Sequence, residues 1–477
     1  MFLEYNKLRK VVSGKGDKGS VQVIFYEKDG DKIKPIIEDK KAENFLLSKN
    51  AKGFSGEIFE ENKTIYCCVG SYKDITNKDV FVSSKCSGAL FKYVETYFEN
   101  YEIKFVDFKG IESIYFCFIL ASYKYTHLHK KPEENKEFNL VIPEEHKKIC
   151  EIAHSQNLAR FFGDTPANLM TPSHFVKYAE EIFKDIKVEM KVLEENDCKE
   201  LGMNLFLSVG QGSAQPSKLL TLKYFGDDST DNHKIAMVGK GVTFDSGGIS
   251  LKPGLNMHHM KYDMMGAGTL LMVFKTCVDL DLKINMTCTL PLVENMPSST
   301  ATKPGDVFTA MNGLSVEIGN TDAEGRLILA DALCYAQKEY GKKPEIVIDA
   351  ATLTGAMCIA LGNVYSGFFT NSDNLSEKIN SASSTAKELL FRMPVCGYYK
   401  DQLKSNCADL NNIGGRMAGS CTAAAFLEAF IEENVEWAHF DIAGMMNDSC
   451  FKEIFGSYAT GRPLAMFVQL IKDLAKN

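Results

Sequence analysis

The sequence predicts an α/β protein of two domains: a variable α/β amino-terminal domain, and a carboxyl-terminal domain with a mostly parallel central sheet flanked by helices. Three observations support this prediction. A chain of 477 residues is too long for one ordinary domain. Its hydrophobic content of 45% is enough to bury a large core. From about residue 173 onward, apolar runs of strand length alternate with helical patterns, which is typical of an α/β sheet.

Residues 1–143 form the predicted amino-terminal domain. Its short apolar runs are predicted strands, and these are Val21–Tyr26, Ile65–Gly70, Lys104–Phe108 and Ile114–Ala121. The last run is the longest apolar stretch and is far too short to cross a bilayer, so it is interpreted as a buried strand. The charged segment Lys130–Lys136, which contains Pro132, is predicted to be a solvated loop.

Residues 144–172 form a predicted linking helix, because apolar residues recur there at helical spacing until Gly163 and Pro166. The remaining residues, 173–477, form the second predicted domain. Its strands are Ile235–Gly239, Asn285–Leu292, Glu345–Asp349 and Trp437–Ile442, and its principal helices are Met264–Leu280 and Ala323–Tyr340. In such sheets, ligands bind at the carboxyl ends of the strands.

Charge and cysteine usage narrow the class of protein. A net charge of −8 makes an extensive nucleic-acid-binding surface unlikely. The amino terminus lacks an apolar core of signal-peptide length, and no segment predicts a membrane span. The fourteen cysteines are scattered and contain no C-x-x-C pair. These features predict a reduced, cytoplasmic protein that does not interact with membranes.

The segment Gly239–Lys252 reads G-K-G-V-T-F-D-S-G-G-I-S-L-K and directly follows a predicted strand. Lys240, Asp245 and Lys252 therefore lie where an α/β active site is expected. The glycines between them allow the backbone to approach a ligand closely. Taken alone, the segment is more typical of a glycine-rich turn with solvated charges than of an active site.

Two further segments carry acidic residues ahead of helices. Asp263 precedes one apolar helix, and N-T-D-A-E-G-R, at 320–326, opens another that is apolar nearly all round. An N-cap explains Asp322, and the helix dipole explains Glu324, without any function. That interpretation does not explain why Arg326 and the start of so apolar a helix should face a second acidic cluster.

Three aspartates, one glutamate and two lysines are thus candidates for one site, without histidine or cysteine. Converging carboxylates repel one another unless cations lie between them. Two divalent ions about 3.5–4 Å apart would relieve this repulsion and form a hydrolytic site. Oxygen ligands suit Mn²⁺ and Mg²⁺, and Zn²⁺ also accepts them. A lysine ligates a metal only as the neutral amine, which requires a lowered pKa.

The D-S-G-G sequence around Ser246 also allows a serine-protease interpretation. That mechanism needs a histidine base and a buried aspartate. The I-A-H-S sequence around His154 is only faintly similar to the surroundings of such a base, and it lies in a predicted helix. His258 and His259 are not part of an H-E-x-x-H motif, so we exclude them from the metal ligands.

In this order, the motifs resemble those of the leucyl aminopeptidase (M17) family of metallopeptidases. The most specific match is N-T-D-A-E-G-R-L at 320–327. The others, which occur in the family order, are V-G-K-G-V-T-F-D-S-G-G-I-S-L-K, M-K-Y-D-M, V-E-N-M-P, A-T-K-P-G-D-V, A-A-T-L-T-G-A, N-N-I-G-G-R-M-A-G and H-F-D-I-A-G. The resemblance covers roughly residues 150–477 and leaves the first 140 or so without a specific match.

The resemblance implies two divalent metal ions, Zn²⁺ or Mn²⁺ with Mg²⁺ possible. Asp245 and Glu324 would bridge both ions. Lys240 and Asp263 would complete the tightly held site, and Asp322 would complete the exchangeable one. The substrate's amine would bind one ion, and an activated water would attack the scissile carbonyl.

The resemblance also assigns roles outside the metal ligands. Lys252 matches the family's electrophilic lysine. Arg326 matches an arginine that holds bicarbonate, helped by the backbone of Leu353 and Gly355. The residues that would line an apolar pocket for the first substrate side chain are Met260, Thr352, Ala443 and Met446.

The implied activity is release of leucine or other apolar residues from the amino termini of peptide substrates. Some members of the family also act as DNA-binding proteins, and a cysteinylglycine dipeptidase is hard to separate from a broad aminopeptidase. A two-metal phosphatase would use similar carboxylates. The family further implies a homohexamer.

Overall fold

The computed structural model describes residues 11–12, 19–73, 83–98, 101–129, 138–447 and 449–475. The predicted loop Lys130–Lys136 lies outside the described residues. The chain divides into two compact units. The first comprises Met1–Leu158, Ser384–Glu388 and Asp448–Tyr458, and the second comprises the remainder. The first unit is therefore built from three separate stretches of the chain.

The first unit contains a mixed sheet of seven strands among the described residues. The strands are β1 (Val11–Val12), β2 (Ser20–Asp29), β3 (Lys32–Pro35), β4 (Ile58–Glu61), β5 (Thr64–Cys68), β6 (Glu102–Phe105) and β7 (Phe138–Leu140). Their order is β1-β7-β6-β2-β5-β4, with β3 also paired to β2. Three helices lie between these strands in the chain, and they are α1 (Lys40–Ser48), α2 (Ser84–Tyr97) and α3 (Glu112–Ala121).

One predicted strand of this unit is wrong. The run Ile114–Ala121 is part of helix α3, whose residues from Ser113 to Leu120 are all buried. A helix that is buried on every side has no polar face, so its sequence shows no helical periodicity. Short apolar runs of this kind do not distinguish a buried strand from a buried helix. The other three predicted strands overlap β2, β5 and β6.

The predicted linking helix is present but shorter than 144–172. Helix α4 spans Lys147–Asp164, after a 3₁₀ turn at Glu144–His146. It ends ahead of Pro166, whose ring disfavours a helical conformation in the preceding residue. The division between the two compact units falls after Leu158, inside this helix.

The second unit is built on a larger, mostly parallel sheet of nine strands in the described residues. Its strands are β8 (Glu189–Leu193), β9 (Lys218–Phe225), β10 (Ile235–Gly239), β11 (Gly241–Asp245), β12 (Asn285–Asn295), β15 (Ile346–Ala351), β16 (Ser366–Thr370), β17 (Leu390–Arg392) and β19 (Glu436–Asp441). The order is β17-β16-β19-β15-β10-β12-β9-β8, with β11 paired to β12. A small separate sheet contains β13 (Val307–Thr309), β14 (Ser315–Glu317) and β18 (Leu410–Asn411).

Helices flank the large sheet. They are α5 (Pro172–Phe183), α6 (Glu195–Glu200), α7 (Asn204–Gly210), α8 (Met265–Asp279), α9 (Gly325–Ala336), α10 (Gly355–Leu361), α11 (Asp373–Ala386), α12 (Gly397–Lys400), α13 (Gly419–Glu428) and α15 (Leu464–Leu474). The short helix α14 (Lys452–Phe455) belongs to the first unit.

The burial of the central strands explains why their sequences are apolar throughout. Strands β10 and β15 pair in parallel and are buried at every position. Helices on both faces of a parallel sheet require such continuous apolar runs. The four strands predicted for this unit are confirmed, as are both principal helices, within a few residues.

The sequence analysis also led to expectations about disulfide bonds and membrane spans. All fourteen cysteines are free thiols in the structure, and most of them are buried. Within the described part of the chain, no helix combines the length and apolar character that a bilayer crossing requires.

Candidate active site

The predicted site residues converge at the carboxyl ends of the central strands. Lys240 directly follows β10, and Asp245 is the last residue of β11. Asp263 lies between the 3₁₀ helix Met257–Tyr262 and helix α8. Asp322 and Glu324 lie in the turn that opens helix α9. Because β10, β11, β12 and β15 run parallel, their carboxyl ends meet at one edge of the sheet.

Lys240 forms one half of the site. Its Nζ lies 2.8 Å from Asp263 Oδ1 and 2.8 Å from Glu324 Oε1. The same amine donates a hydrogen bond to the carbonyl of Thr352 at 2.9 Å. The Thr352 hydroxyl donates in turn to Asp263 Oδ1 at 2.9 Å. All four residues are buried, so this arrangement is protected from water.

Lys252 forms the other half. Its Nζ lies 2.8 Å from Asp245 Oδ2 and 2.5 Å from Asp322 Oδ1. Carboxylate oxygens of Asp245, Asp322 and Glu324 lie within 4.8 Å of one another. Glu324 thus belongs to both halves, and the six predicted residues form a single cluster.

Mutual repulsion and burial destabilise the charged form of the aspartates in this cluster. At 4.8 Å, two carboxylates repel each other by about 3 kcal/mol at the effective dielectric constant typical of proteins. Burial, together with the charge of Glu324, raises the pKa of Asp245 to about 6. Burial also raises the pKa of Asp263 and of Asp322. Two lysines therefore compensate the four acids only in part.

Glu324 and Lys240 behave differently from the aspartates. Burial would raise the pKa of Glu324, but Lys240 and Lys252 outweigh it and the pKa is lowered. Burial would lower the pKa of Lys240, but the carboxylates of Asp263, Glu324 and Asp245 raise it above its usual value. Lys240 is therefore an ammonium as long as these carboxylates face it. Divalent cations bound to the same carboxylates would offset their negative charge, and the pKa of Lys240 would then no longer be raised.

The residues present fit a divalent-metal site. Asp263 Oδ2 is buried without a hydrogen-bond partner, although its other oxygen is fully engaged. A buried carboxylate oxygen of this kind needs a cation or a donor. The carboxylates of Asp245, Asp322 and Glu324, which lie within 4.8 Å of one another, and the nearby Asp263 provide the hard oxygen donors that divalent ions prefer.

Arg326 lies beside this cluster and is also buried. Its Nη1 donates to the carbonyl of Asn412 at 2.7 Å, and its Nε has no hydrogen-bond partner. Burial lowers the pKa of Arg326 to about 10, so the guanidinium remains charged at neutral pH. A buried cation with an unused donor fits a small anion such as bicarbonate.

The backbone groups predicted to assist Arg326 are partly engaged. The amide of Leu353 donates to Asp441 Oδ1 at 3.2 Å, so an anion would share this donor. Gly355 is the first residue of helix α10, and a Cβ atom added there would have no atom within 4 Å apart from its chain neighbours and the helix's own backbone. The helix start thus leaves space beside Gly355, and the bicarbonate site stays a prediction.

The Ser246 hydroxyl has a structural role. It donates to the carbonyl of Asn295 at 2.7 Å and accepts a hydrogen bond from the amide of Gly248 at 3.3 Å. Of the two excluded histidines, His258 is exposed, whereas His259 is half-buried and its Nδ1 lies 3.1 Å from the side-chain amide nitrogen of Asn447. Ser246 therefore organises the glycine turn.

Two asparagines that hold the site together were missed by the sequence analysis. Asn295 Nδ2 donates to Asp245 Oδ1 at 2.8 Å and to the carbonyl of Thr321 at 3.0 Å. The Asn412 side chain accepts from the amides of Gly319 and Asn320 and donates to the carbonyls of Asn320 and Ala323. Both occur in family motifs, V-E-N-M-P and N-N-I-G-G-R-M-A-G, and this was the available signal. Their role depends on loops far away in the chain.

The four predicted pocket residues come from three segments of the second unit. Met260 lies in the 3₁₀ helix ahead of Asp263, Thr352 directly follows β15, and Ala443 and Met446 follow β19. Thr352 and Ala443 are buried, whereas the two methionines are half-buried. The pocket that these residues would form stays a prediction.

The family model for the catalytic domain of the cytosol aminopeptidase family matches residues 157–468, which include every predicted site residue. The chain belongs to the cytosol aminopeptidase family. This assigns it to the metal-dependent aminopeptidases, and hence to the hydrolases.

Individual family members extend the comparison beyond the catalytic domain. A cytosol aminopeptidase of Encephalitozoon cuniculi is 42% identical over 99% of both chains. The solved structure of a cytosol aminopeptidase from Coxiella burnetii is 29% identical, with a TM-score of 0.82 over 98% of both chains. A bottromycin maturation enzyme, BotP, solved in complex with manganese, is 27% identical with a TM-score of 0.83, covering 96% of this chain and 99% of its own. The similarity therefore includes the amino-terminal unit.

Gly325 provides a test of the packing around Lys240. A Cβ atom at this position would lie 2.6 Å from both Cε and Nζ of Lys240. We predict that Gly325→Ala displaces the amine and lowers kcat by about 100-fold, because misplacement by about 1 Å is enough for such a loss. The matched control is Gly397→Ala, where the added methyl would meet nothing within 4 Å. Equal activity of both variants, measured with a leucyl anilide, would contradict the prediction.

Proposed function

We propose that this family member is a dinuclear-metal exopeptidase that releases amino-terminal residues from peptides, preferably leucine or other apolar residues. The observation that carries the proposal is the convergence of four acids and two lysines. Oxygens of Asp245, Asp322 and Glu324 lie within 4.8 Å of one another, and Asp263 is joined to Glu324 through Lys240. Family membership supports the same reaction class.

The cluster supplies two sets of metal ligands. Asp245 and Glu324 would be shared between two ions, Asp263 and Lys240 would complete one set, and Asp322 would complete the other. When bound, Zn²⁺, Mn²⁺ or Mg²⁺ would supply the Lewis acidity that activates water and orients the amine of the substrate. Lys240 joins the ligands only as the neutral amine, once its carboxylate partners are engaged by cations.

Lys252 is suited to stabilise negative charge in the transition state. Burial alone would lower its pKa, but Asp245 and Glu324 raise it above the ordinary value, so the side chain stays an ammonium. Its side chain retains 21% exposure, which lets a substrate approach. A fixed ammonium near the scissile carbonyl would stabilise the oxyanion as it develops.

Arg326 would hold a bicarbonate ion beside the cluster. The support is its burial, its charge at neutral pH and its unpartnered Nε. Bicarbonate bound there would accept the proton that the attacking water loses and would pass it to the leaving amine. Asn412 keeps the guanidinium in place through its backbone carbonyl.

The preference for apolar residues rests on the proposed pocket of Met260, Thr352, Ala443 and Met446. Its two methionines would contact an apolar side chain and adapt to its shape. A charged side chain would lose its hydration there without gaining a partner. No observation favours a cysteinylglycine dipeptidase or a DNA-binding protein, and both stay outcomes of the assays below.

We further propose a homohexamer in the cytoplasm, in line with the family. Several large apolar side chains of the second unit are exposed in the single chain, and subunit interfaces of such a hexamer would have the opportunity to cover them. Examples are Leu255 at 85%, Ile359 at 90% and Met417 at 84% exposure. Multi-angle light scattering of the purified protein would measure the assembly.

The reaction is tested by removing and restoring the metal. We expect the chelated protein to lose hydrolysis of a leucyl anilide, and Zn²⁺ or Mn²⁺ to restore it more strongly than Mg²⁺. Cysteinylglycine, a phosphoester and a gel shift with DNA at physiological salt test the alternatives in parallel. Hydrolysis of the anilide that is unaffected by chelation would refute a metal-dependent mechanism.

Lys252→Ala tests the electrophile. We expect both metals to remain bound and kcat to fall by about 10²–10³-fold, since a fixed donor to the oxyanion is lost. Metal content and kcat are measured on the same sample. The matched control is Lys303→Ala, which removes an exposed lysine paired with Asp306. A Lys252→Ala protein with normal kcat would exclude this role.

Asp322→Ala tests the two ligand sets. Asp322 contributes to only one of them, so we expect one ion to bind more weakly while the other is retained. Calorimetric titration of the chelated protein would show two classes of sites in the wild type and one weakened class in the variant. Asp306→Ala, which removes a carboxylate outside the cluster, is the control. Equal weakening of both ions would argue against separate sets.

A further inference from the structure

A second cluster of metal-ligating groups lies in the first unit, separate from the residues described above. It consists of Asp107, which follows strand β6, and Glu145 and His146, which form the end of the 3₁₀ turn ahead of helix α4. One ligand atom from each lies within 4.8 Å of the other two. Glu112, at the start of helix α3, lies on the other side of the imidazole.

His146 is the member that points to a ligand. The residue is only 5% exposed, although it lies in a turn between charged neighbours. Its ring lies against Tyr115, with the ring centroids 5.1 Å apart. Both ring nitrogens face carboxylates: Nε2 lies 3.4 Å from Asp107 Oδ1, and Nδ1 lies 4.0 Å from Glu112 Oε1.

The hydrogen bonding of this imidazole is incomplete. Nδ1 is buried and has no hydrogen-bond partner. The contact between Nε2 and Asp107 is longer than an ordinary hydrogen bond of this kind. A buried histidine with a purely structural role would be expected to form at least one hydrogen bond of ordinary length.

The carboxylates have freedom that the imidazole lacks. The side chains of Asp107 and Glu112 are 60% and 53% exposed, so each can change rotamer at little cost. His146, in contrast, is fixed by burial and by Tyr115. One rigid imidazole and several adjustable acids form a site that closes around an ion.

We propose that Asp107, Glu145 and His146 bind a divalent transition-metal ion, with Zn²⁺ as the preferred occupant. Imidazole nitrogen with carboxylate oxygens is a donor set that Zn²⁺ accepts. Ligand atoms bound at about 2.1 Å from one ion lie at most about 4.2 Å apart. Small rotations of the Asp107 and Glu145 side chains would bring the ligand atoms from a separation of up to 4.8 Å to this shorter one.

Glu112 completes the arrangement. When Nε2 of His146 binds the ion, Nδ1 carries the proton and is directed towards Glu112. A carboxylate that accepts a hydrogen bond from this N–H fixes the orientation of the imidazole. The ion would join the segment after β6 to the start of helix α4, so its role is structural.

The test uses the full-length protein equilibrated with Zn²⁺. Anomalous diffraction at the zinc edge locates the ions, and elemental analysis counts them per chain in solution. We expect an anomalous peak between Asp107, Glu145 and His146. The double variant Asp107→Asn/Glu145→Gln should lose this peak and one zinc ion per chain. Both acids are exposed, so the fold should be retained.

Glu144→Gln is the matched control, because Glu144 is an exposed acid in the same turn that pairs with Lys147. It should keep the full zinc content. Absence of the peak in the wild type, or an equal zinc content in the double variant, would overturn the proposal. Peaks at the catalytic cluster are counted separately, so failure of either site is distinguishable from failure of the other.

Discussion

The site depends on four acids that the fold holds close together, three of them buried and one, Asp322, half-buried. Asp245, Asp263, Asp322 and Glu324 come from three separate segments, and two lysines offset only part of their charge. Removing either lysine would leave the acids without a local counter-charge and force some of them to protonate. The same imbalance makes the cluster a strong attractant for divalent cations. Its instability without ions and its proposed chemistry have one physical origin.

The scaffold supplies rigidity where this imbalance is greatest. Lys240 and Asp245 are fixed by strands at the buried centre of the sheet, so they cannot move apart to relieve the repulsion. The turn carrying Asp322 and Glu324 has no strand of its own. It is held by the amide groups of Asn295 and Asn412, which bind the backbone on either side of Asp322. Uncharged donors and acceptors are suitable here, because another charge would upset the balance of the site.

The sequence predicts most of this site because its reactive residues lie in short motifs with strong chemical character. The sequence also predicts the central strands, because continuous apolar runs between glycines and charged residues are typical of buried parallel strands. Ile114–Ala121 was mistaken for a strand because complete burial removes the periodicity that identifies a helix. Asn295 and Asn412 were not recognised because an amide side chain has no distinctive pattern. Their function exists only once distant loops have folded together.

The amino-terminal unit has an unusual consequence for evolution and engineering. Helix α14, from near the end of the chain, packs within it so closely that a Cβ on Gly88 would lie 2.4 Å from the carbonyl of Glu453. Exchanging residues 1–158 between relatives at a single crossover would pack one relative's amino-terminal sheet and helices against the other relative's version of Lys452–Phe455. A workable chimera must transplant three pieces, so recombination has little opportunity to shuffle this unit as a module.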